Sequence, residues 1–596
     1  MWRHAWQRGS ASRRLRPNQT RIWLKSIHSG IDAALDYLCG RPAGRPSGVQ
    51  RMSRITVFVA RKIRTMEPSL PEATAVAVRE GSIVEVGTLE TLRPWLEAHP
   101  HTIDRTFEKH VLMPGFIDPH LHPSMAAYLL QCEFITAMEW QLPDRTVAPV
   151  RTRDAFLARL KELHEANPDP KEPLFTWGYH RDWHGEIWLQ DLDAISRTRP
   201  LILVHRSFHE TIVNKAALDY FELDREKLRG AHQVDIDRGH FYEAGNRFVR
   251  AKLSGYLLSP QRRGPAMKRT AEVIHLGGHT TVGDMAFGIF DHEAEWAGSV
   301  AAFDNDDTPF RVEFVPHVAF AGTGLRLEQL AALPERNRRR LRFGKHVKLF
   351  TDGAFFSQLM QLGGPGYIDG HDGEWLMAPE AFEKAARALW NDGYVIHVHC
   401  TGDLGVELAL DVLEKLQWER PRINHRFTIE HFGISTSAQA RRIADLGALV
   451  SANPYYVYEL SDVYARRGVG HERASQMVRL GSLSRNRVPF ALHSDFTMAP
   501  ARPLQNAWIA LNRVNAAGDV LCPRERVSLD EALRAITINA AYVMGLEHEI
   551  GSICSGKKAD FTVLEADPCE VAPLELRDIP IWGTVFEGQP YPLGKR

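Results

Sequence analysis

Cysteine is scarce and never paired: the six cysteines of the 596-residue chain include no C-x-x-C. That spacing argues against a cysteine-built zinc site and for a reducing compartment. Long apolar runs are also missing. None reaches the roughly 18 residues of a membrane-spanning helix, which excludes an integral membrane protein of that kind. Charge of one sign is absent as an excess, since Lys+Arg 73 balances Asp+Glu 73. Neither nucleic acid nor an anionic membrane is therefore expected as the main partner. There is no internal repeat, no low-complexity linker, and no G-x-G-x-x-G after the first strand of the central region to mark a dinucleotide site.

What the chain does hold is histidine, 27 of them, several in clusters. Histidine without paired cysteine points to imidazole ligation of a metal, or to a histidine-rich surface. Residues 1–51 stand apart: they are rich in Arg, and no acid precedes Asp32. An acid-free basic start suits an organellar transit peptide or an upstream start codon before Met52, where a strand pattern begins at once. The corresponding location is cytoplasmic, or organellar in the transit-peptide case.

From Ile55, "ITVFVARKIRTM" and "ATAVAVREGSIVEVG" alternate apolar and polar residues around a turn. The segments "IGSICSGKKADFTVLEADP" and "IPIWGTVFEGQPY" mirror them at the other end of the chain. The simplest reading is one small β-domain built from residues 52–113 and 546–596. Between them, residues 114–545 alternate apolar strands with helical runs, the mark of a parallel sheet. The strand candidates are "VLMPGFIDPHLH", "PLILVHRS", "HTTVGDMA", "FRVEFVPHV", "HVKLFTDG", "YVIHVHCTGD", "RFTIEHFG", "ALVSANPYY" and "VPFALHSD". Eight or so such units suggest an α/β fold of the (β/α)₈ barrel type with insertions, with a doubly wound open sheet as the competitor.

In such a barrel the active site lies at the C-terminal strand ends. The first strand ends in "DPHLHP", with His120 and His122 two apart and so on one side of a strand. A lone H-x-H is weak, but "HVHCTGD" adds His397 and His399, "TIEHFG" adds His431, and "ALHSD" adds His493 and Asp495. Independent strand ends that each carry a metal donor outweigh a reading as core histidines.

Lys348, within "KHVKLFTDG", is the odd residue among them. A lysine on a covered strand either snorkels to water or loses its proton, because burial and a nearby cation both disfavour the ammonium. A free amine of this kind captures carbon dioxide as a carbamate, a carboxylate-like group able to bridge two metals.

The motifs "PGFIDPHLHP", "VKLFTDGAFFS", "HCTGD", "IEHFG", "HSDFTMAP" and "GSICSGKKADFTVLEADP" together resemble the amidohydrolase superfamily, specifically its amidohydrolase 3 branch of YtcJ-like and N-substituted formamide deformylase proteins. The resemblance runs from about Ile55 to the C-terminus. It implies a metal-dependent hydrolase on a TIM barrel with a flanking β-sandwich. By matching positions it implies His120, His122, His399, His431 and Asp495 as metal ligands, Lys348 as the carboxylated bridging lysine, and Asp495 as general base. His397 falls one step deeper and is assigned to packing beneath the site; His493 is assigned to orienting Asp495. The segment 177–218 resembles the branch as well, with His209 and Asn214 in the pattern but Ser207-Phe208 where an acidic-glycine pair is usual. It offers His209, Asn214 and Trp183 as substrate contacts. Trp177, Trp188, Phe355 and Phe356 join Trp183 as candidates for an apolar lining, or are ordinary core aromatics.

The implied reaction is hydrolysis of a non-peptide C–N bond in a small amide or formamide, with one or two divalent ions, zinc first, and carbon dioxide as the carbamate on Lys348. The competing readings are ring C–N deamination at a single metal and a scaffold that has lost catalysis. A homodimer would be ordinary for such a barrel.

Overall fold

The computed structural model describes residues 54–318 and 324–594; the basic extension 1–51 lies outside the described residues. The two chain ends meet in one seven-stranded sheet, ordered Gln589–Pro592, Ile581–Phe586, Phe561–Leu564, His101–Pro114, Ile55–Arg64, Glu72–Arg79, Ser82–Gly87. The join is antiparallel, with Phe561 opposite Pro114 and Leu564 opposite Val111. Alternation along these strands splits their apolar residues between two clusters. Phe58, Val76, Phe107, Leu112, Phe561 and Val585 make one, and Ile55, Val57, Ala75, Ala77 and Leu92 the other.

The central region carries eight parallel strands: Phe116–Leu121, His279–Phe287, Arg311–Pro316, His346–Phe350, Val395–Cys400, Thr428–His431, Leu449–Ala452 and Phe490–Leu492. They are called the first to the eighth below. The first three, with Leu341–Phe343, form a four-stranded sheet; the last five form another. Their residues are apolar and buried because helices such as Pro379–Asn391 and Asp403–Glu419 cover the outside.

The two sheets do not merge into one closed eight-stranded ladder. On one side they touch through a parallel bridge between His317 and Lys348, where Val318 N donates to Lys348 O at 3.2 Å. On the other side, the end of the first strand meets residues just past the eighth. Asp495 N donates to His120 O at 2.9 Å, and His122 N donates to Phe496 O at 3.1 Å. The residues expected to do chemistry thus also hold the two sheets together.

One strand candidate belongs elsewhere. "PLILVHRS" supplies Leu201–His205 to a six-stranded sheet inserted between the first and second strands, where it runs parallel to Leu174–Tyr179 and antiparallel to Glu210–Val213. A separate cluster that includes Ile135, Phe156, Leu160, Leu203 and Ile212 packs there. An apolar run reports burial on both faces, not which sheet covers it. Among the described residues no helix is long and apolar enough to cross a membrane.

Candidate metal centre

The strand ends bring histidines from four strands around Asp495. His122 Nε2 lies 2.9 Å from Asp495 Oδ1 and His120 Nε2 lies 3.6 Å from it, while His431 Nδ1 is 3.7 Å from Asp495 Oδ2. His493 Nε2 sits 3.2 Å from His431 Nδ1, and its Nδ1 is 2.7 Å from Ser451 Oγ. The ring centroids of His399 and His431 are 4.5 Å apart. His431 and Asp495 both have positive φ, 73° and 54°. These kinks at the sixth and eighth strand ends swing their side chains inward, where straight strands would keep strict alternation.

Glu430 lies beneath this group, fully buried. Its Oε2 is 2.7 Å from His120 Nδ1, and its Oε1 is 2.7 Å from His397 Nδ1. Burial pushes the carboxyl up, but the hydrogen bond from His397 and the charge of Lys348 override it and hold the group at about 2. An ionised carboxylate only accepts, so both Nδ1 atoms carry their protons. The lone pair of His120 is then on Nε2, facing Asp495, and His397 Nε2 accepts from His346 Nδ1 at 2.9 Å. Asp118, also buried, ties the first strand to the eighth: it accepts from His120 N, from Ser494 N, and from Ser494 Oγ at 2.5 Å. Burial raises its carboxyl to about 7.

Burial holds His120 and His431 well below the ordinary imidazole range, and pushes His399 down to about 3 with help from Lys348. These rings are neutral at physiological pH and offer lone pairs. The donor atoms of His120, His431 and His493 all lie within 4.8 Å of one another, as do those of His120, His122 and Asp495. Neutral imidazoles grouped with a carboxylate fit a divalent cation, and the absence of thiolate among them suits a nitrogen- and oxygen-preferring one.

Lys348 is 1 % exposed, and its buried Nζ has no hydrogen-bond partner among the described residues. Burial pushes its ammonium down to about 8, against the opposing pull of Glu430 and Asp495. The amine is thus partly free near neutral pH, as a carbamate-forming lysine requires.

The other expected residues divide. His397 lies deeper than His399, between His346 and Glu430. His493 is a member of the histidine cluster and packs 4.4 Å from the His120 ring centroid, so its contacts are with His120, His431 and Ser451. His209 faces the group from the inserted sheet. Burial opposes its cation, but Glu243 Oε2, 2.9 Å from its Nδ1, raises its pKa overall. Trp183 is half-buried on the helix Arg181–His184, and its indole N–H has no partner among the described residues.

Asn214 is a fold residue, and that corrects its expected place among the substrate contacts. It is fully buried, its Oδ1 accepts from Leu201 N and Ala217 N, and its Nδ2 donates to Ser196 O and Arg199 O. It caps the helix Lys215–Tyr220 and has no group left for a ligand. Of the aromatics, Phe355 stacks on Tyr456 at 4.0 Å, and Tyr456 reaches to 6.5 Å from the His431 ring. Trp177 instead packs against Trp140 and the Arg206 guanidinium, and Trp188 against His240.

Residues 108–591 match the model of the Amidohydrolase family. The chain belongs to this family. Its amidohydrolase 3 branch is supported by curated relatives. The N-substituted formamide deformylase of Arthrobacter pascens is 27% identical over 566 residues, covering 90% of this chain and 98% of that one. The putative amidohydrolase YtcJ of Bacillus subtilis is 25% identical over 551 residues, covering 88% and 97%. A metal-dependent hydrolase of uncharacterised function from Pyrococcus horikoshii superposes with a TM-score of 0.67 at 21% identity, over 87% of this chain and 99% of that one. This amidohydrolase is a hydrolytic enzyme, and the likeness to the Pyrococcus structure places it among TIM-barrel-like α/β folds.

Proposed function

We propose that the protein hydrolyses a C–N bond of amide or formamide type in a small molecule, on eight strands acting as one (β/α)₈ barrel beside a β-sandwich. The observation that supports it is the meeting of His120, His122 and His431 on Asp495, with Lys348 buried nearby and unpartnered. The formamide relative supports the bond type. A divalent cation, zinc by donor chemistry, would be held by His120, His122, His399, His431, Asp495 and the carbamate of Lys348, and supplies the Lewis acidity that polarises a carbonyl and acidifies water.

The protein's own groups do the rest. Asp495 accepts the proton that water loses as its oxygen adds to the carbonyl carbon. It returns that proton to the nitrogen as the C–N bond breaks, leaving an amine and a carboxylic acid that releases its own proton to solvent. Its backbone N–H, bonded to His120 O, keeps the carboxylate over the first-strand histidines through the cycle. Glu430 fixes the His120 tautomer. Phe355, Phe356 and Tyr456 give the site an apolar wall, and His209 and Trp183 present polar hydrogens from the turn and helix that flank the inserted strands.

Hydrolysis screens over N-formyl, N-acyl and cyclic amides with added zinc or manganese test this reading. Failure of the metal-loaded enzyme on every amide would overturn it. The second reading, ring deamination at one cation, draws on the two compact donor sets, neither of which includes His399. A metal content of one per chain, unaffected by bicarbonate, would favour it.

A further inference from the structure

A cavity of about 640 Å³ opens beside the centre, between the helices Glu243–Leu257, Pro260–Leu276 and His292–Phe303, and reaches Ser124, two residues beyond His122. Its basic and acidic linings differ in how they are used. Arg263 is spent on the backbone, donating to Leu258 O and Ala294 O. Asp291 caps its helix by accepting from Ala294 N, and Glu295 accepts from Gly288 N and Phe290 N. Arg250 and Arg247 have no hydrogen bond or ion pair among the described residues, and their nearest ring contacts are Phe208 and Phe248. Glu243 lies one turn before Arg247 on the same helix face, but it is held by His209. Glu243 thus spends one carboxylate oxygen on His209 while its charge also acts on Arg250, and neither guanidinium makes a hydrogen bond or ion pair among the described residues.

Arg250 is half-buried, at the end of the cavity nearest the metal centre: its charge acts on both His209 and His317, and His317 bridges to Lys348. Leu258, Met267, Ile289 and Phe290 add apolar wall. A desolvated guanidinium with no hydrogen-bonded acid among the described residues, above such a wall, matches a carboxylate on an apolar body, which it can hold through two parallel N–H···O bonds.

We infer that this cavity is an acid-recognition subsite, and that the substrate is an amide carrying a carboxylate, seated on Arg250 with Arg247 at the rim. The inference rests on the amide-hydrolase reading for what happens to the bound molecule, but anion binding can be read without turnover.

Calorimetry on the zinc-loaded full chain carrying Asp495→Asn compares hippurate with hippuramide, the same molecule with its charge removed. Hippurate is expected to bind at least tenfold more tightly. Arg250→Gln should erase that difference, Arg247→Gln should reduce it, and Arg250→Lys should keep a part of it. Equal binding of the two molecules, binding of neither, or an unchanged preference in Arg250→Gln would overturn the subsite. If no amide is hydrolysed but the charge preference stands, hydrolysis fails and the subsite survives; hydrolysis blind to charge gives the reverse.

Discussion

Glu430 Oε2 lies 2.7 Å from Nδ1 of His120, a residue 310 positions earlier in the chain, and the same carboxylate holds His397 through its other oxygen. One buried anion thus sets the tautomer of a histidine in the candidate donor set on the first strand and of a deeper histidine on the fifth. The arrangement is costly unless both hydrogen bonds are made, because a buried carboxylate without partners loses its hydration for nothing.

Replacing Glu430 with Gln keeps the shape but removes the charge that fixes both protons. Zinc affinity is expected to fall by roughly 10- to 100-fold, the usual cost of losing a group that orients a ligand. Competition titration with a chelator reads it. An affinity equal to wild type would show that His120 needs no such partner.

Asp495→Asn is expected to keep most of the metal while kcat falls by at least roughly 10²-fold, the scale of general acid–base catalysis. His122→Ala should instead lose metal, since its Nε2 lies 2.9 Å from the Asp495 carboxylate, nearer than the 3.6 and 3.7 Å of His120 and His431. Metal analysis beside kinetics separates the two. An Asn variant turning over at the normal rate would move the proton transfer to another residue.

Asn214 makes the opposite prediction. With its amide bonded to four backbone groups, Asn214→Ala should lower stability by about 2–4 kcal/mol, read by chemical denaturation. KM of the folded fraction should not change. A raised KM with normal stability would return Asn214 to the substrate site.

Much of the centre was legible because H-x-H, H-x-D and a lysine inside an apolar strand follow the period of two that strands impose. The same period hid Glu430. Next to His431, it should face away from it, and only the positive φ of His431 lets both side chains serve the interior. The available signal was the one that marked Lys348: a charge inside the apolar strand "FTIEH" demands a buried partner. The end-to-end sheet followed from matched short strands. The inserted sheet did not, because Leu201–His205 is as apolar as any central strand and nothing local distinguishes its neighbours.

Buried histidines also make the fold acid-sensitive. His184, far from the metal donors in the sequence and fully buried, accepts from His180 N and donates to Val150 O; burial pushes it from the ordinary 6.5 down to about 4. Between those values the unfolded chain holds a proton that the folded chain does not. Stability is therefore present above about pH 6.5 and drains away as pH falls towards 4, at about 1.4 kcal/mol per pH unit for each proton taken up. In His184→Gln the proton uptake on unfolding at pH 5 should drop by about one, whatever the variant's absolute stability. An unchanged slope would mean that His184 titrates normally in the fold.

Lys348 offers the sharpest test of the centre. Its Nζ is buried, without a hydrogen-bond partner among the described residues, and close enough to Asp495 and Glu430 to feel both charges. If it carries carbon dioxide, Lys348→Ala should lose metal and activity together, because the oxygens that would hold the ions are gone. Acetate or propionate should restore part of the activity by filling the vacated space. Lys348→Arg should fail as badly, since a guanidinium stays cationic and is not expected to form the carbamate. Bicarbonate should improve metal loading of the wild type and leave both variants unmoved. A lysine that only packs its stem predicts another pattern: metal content unchanged, Arg tolerated, and no response to bicarbonate. A fully active Lys348→Arg enzyme would therefore remove the bridge and leave a single-cation site built from the histidines and Asp495.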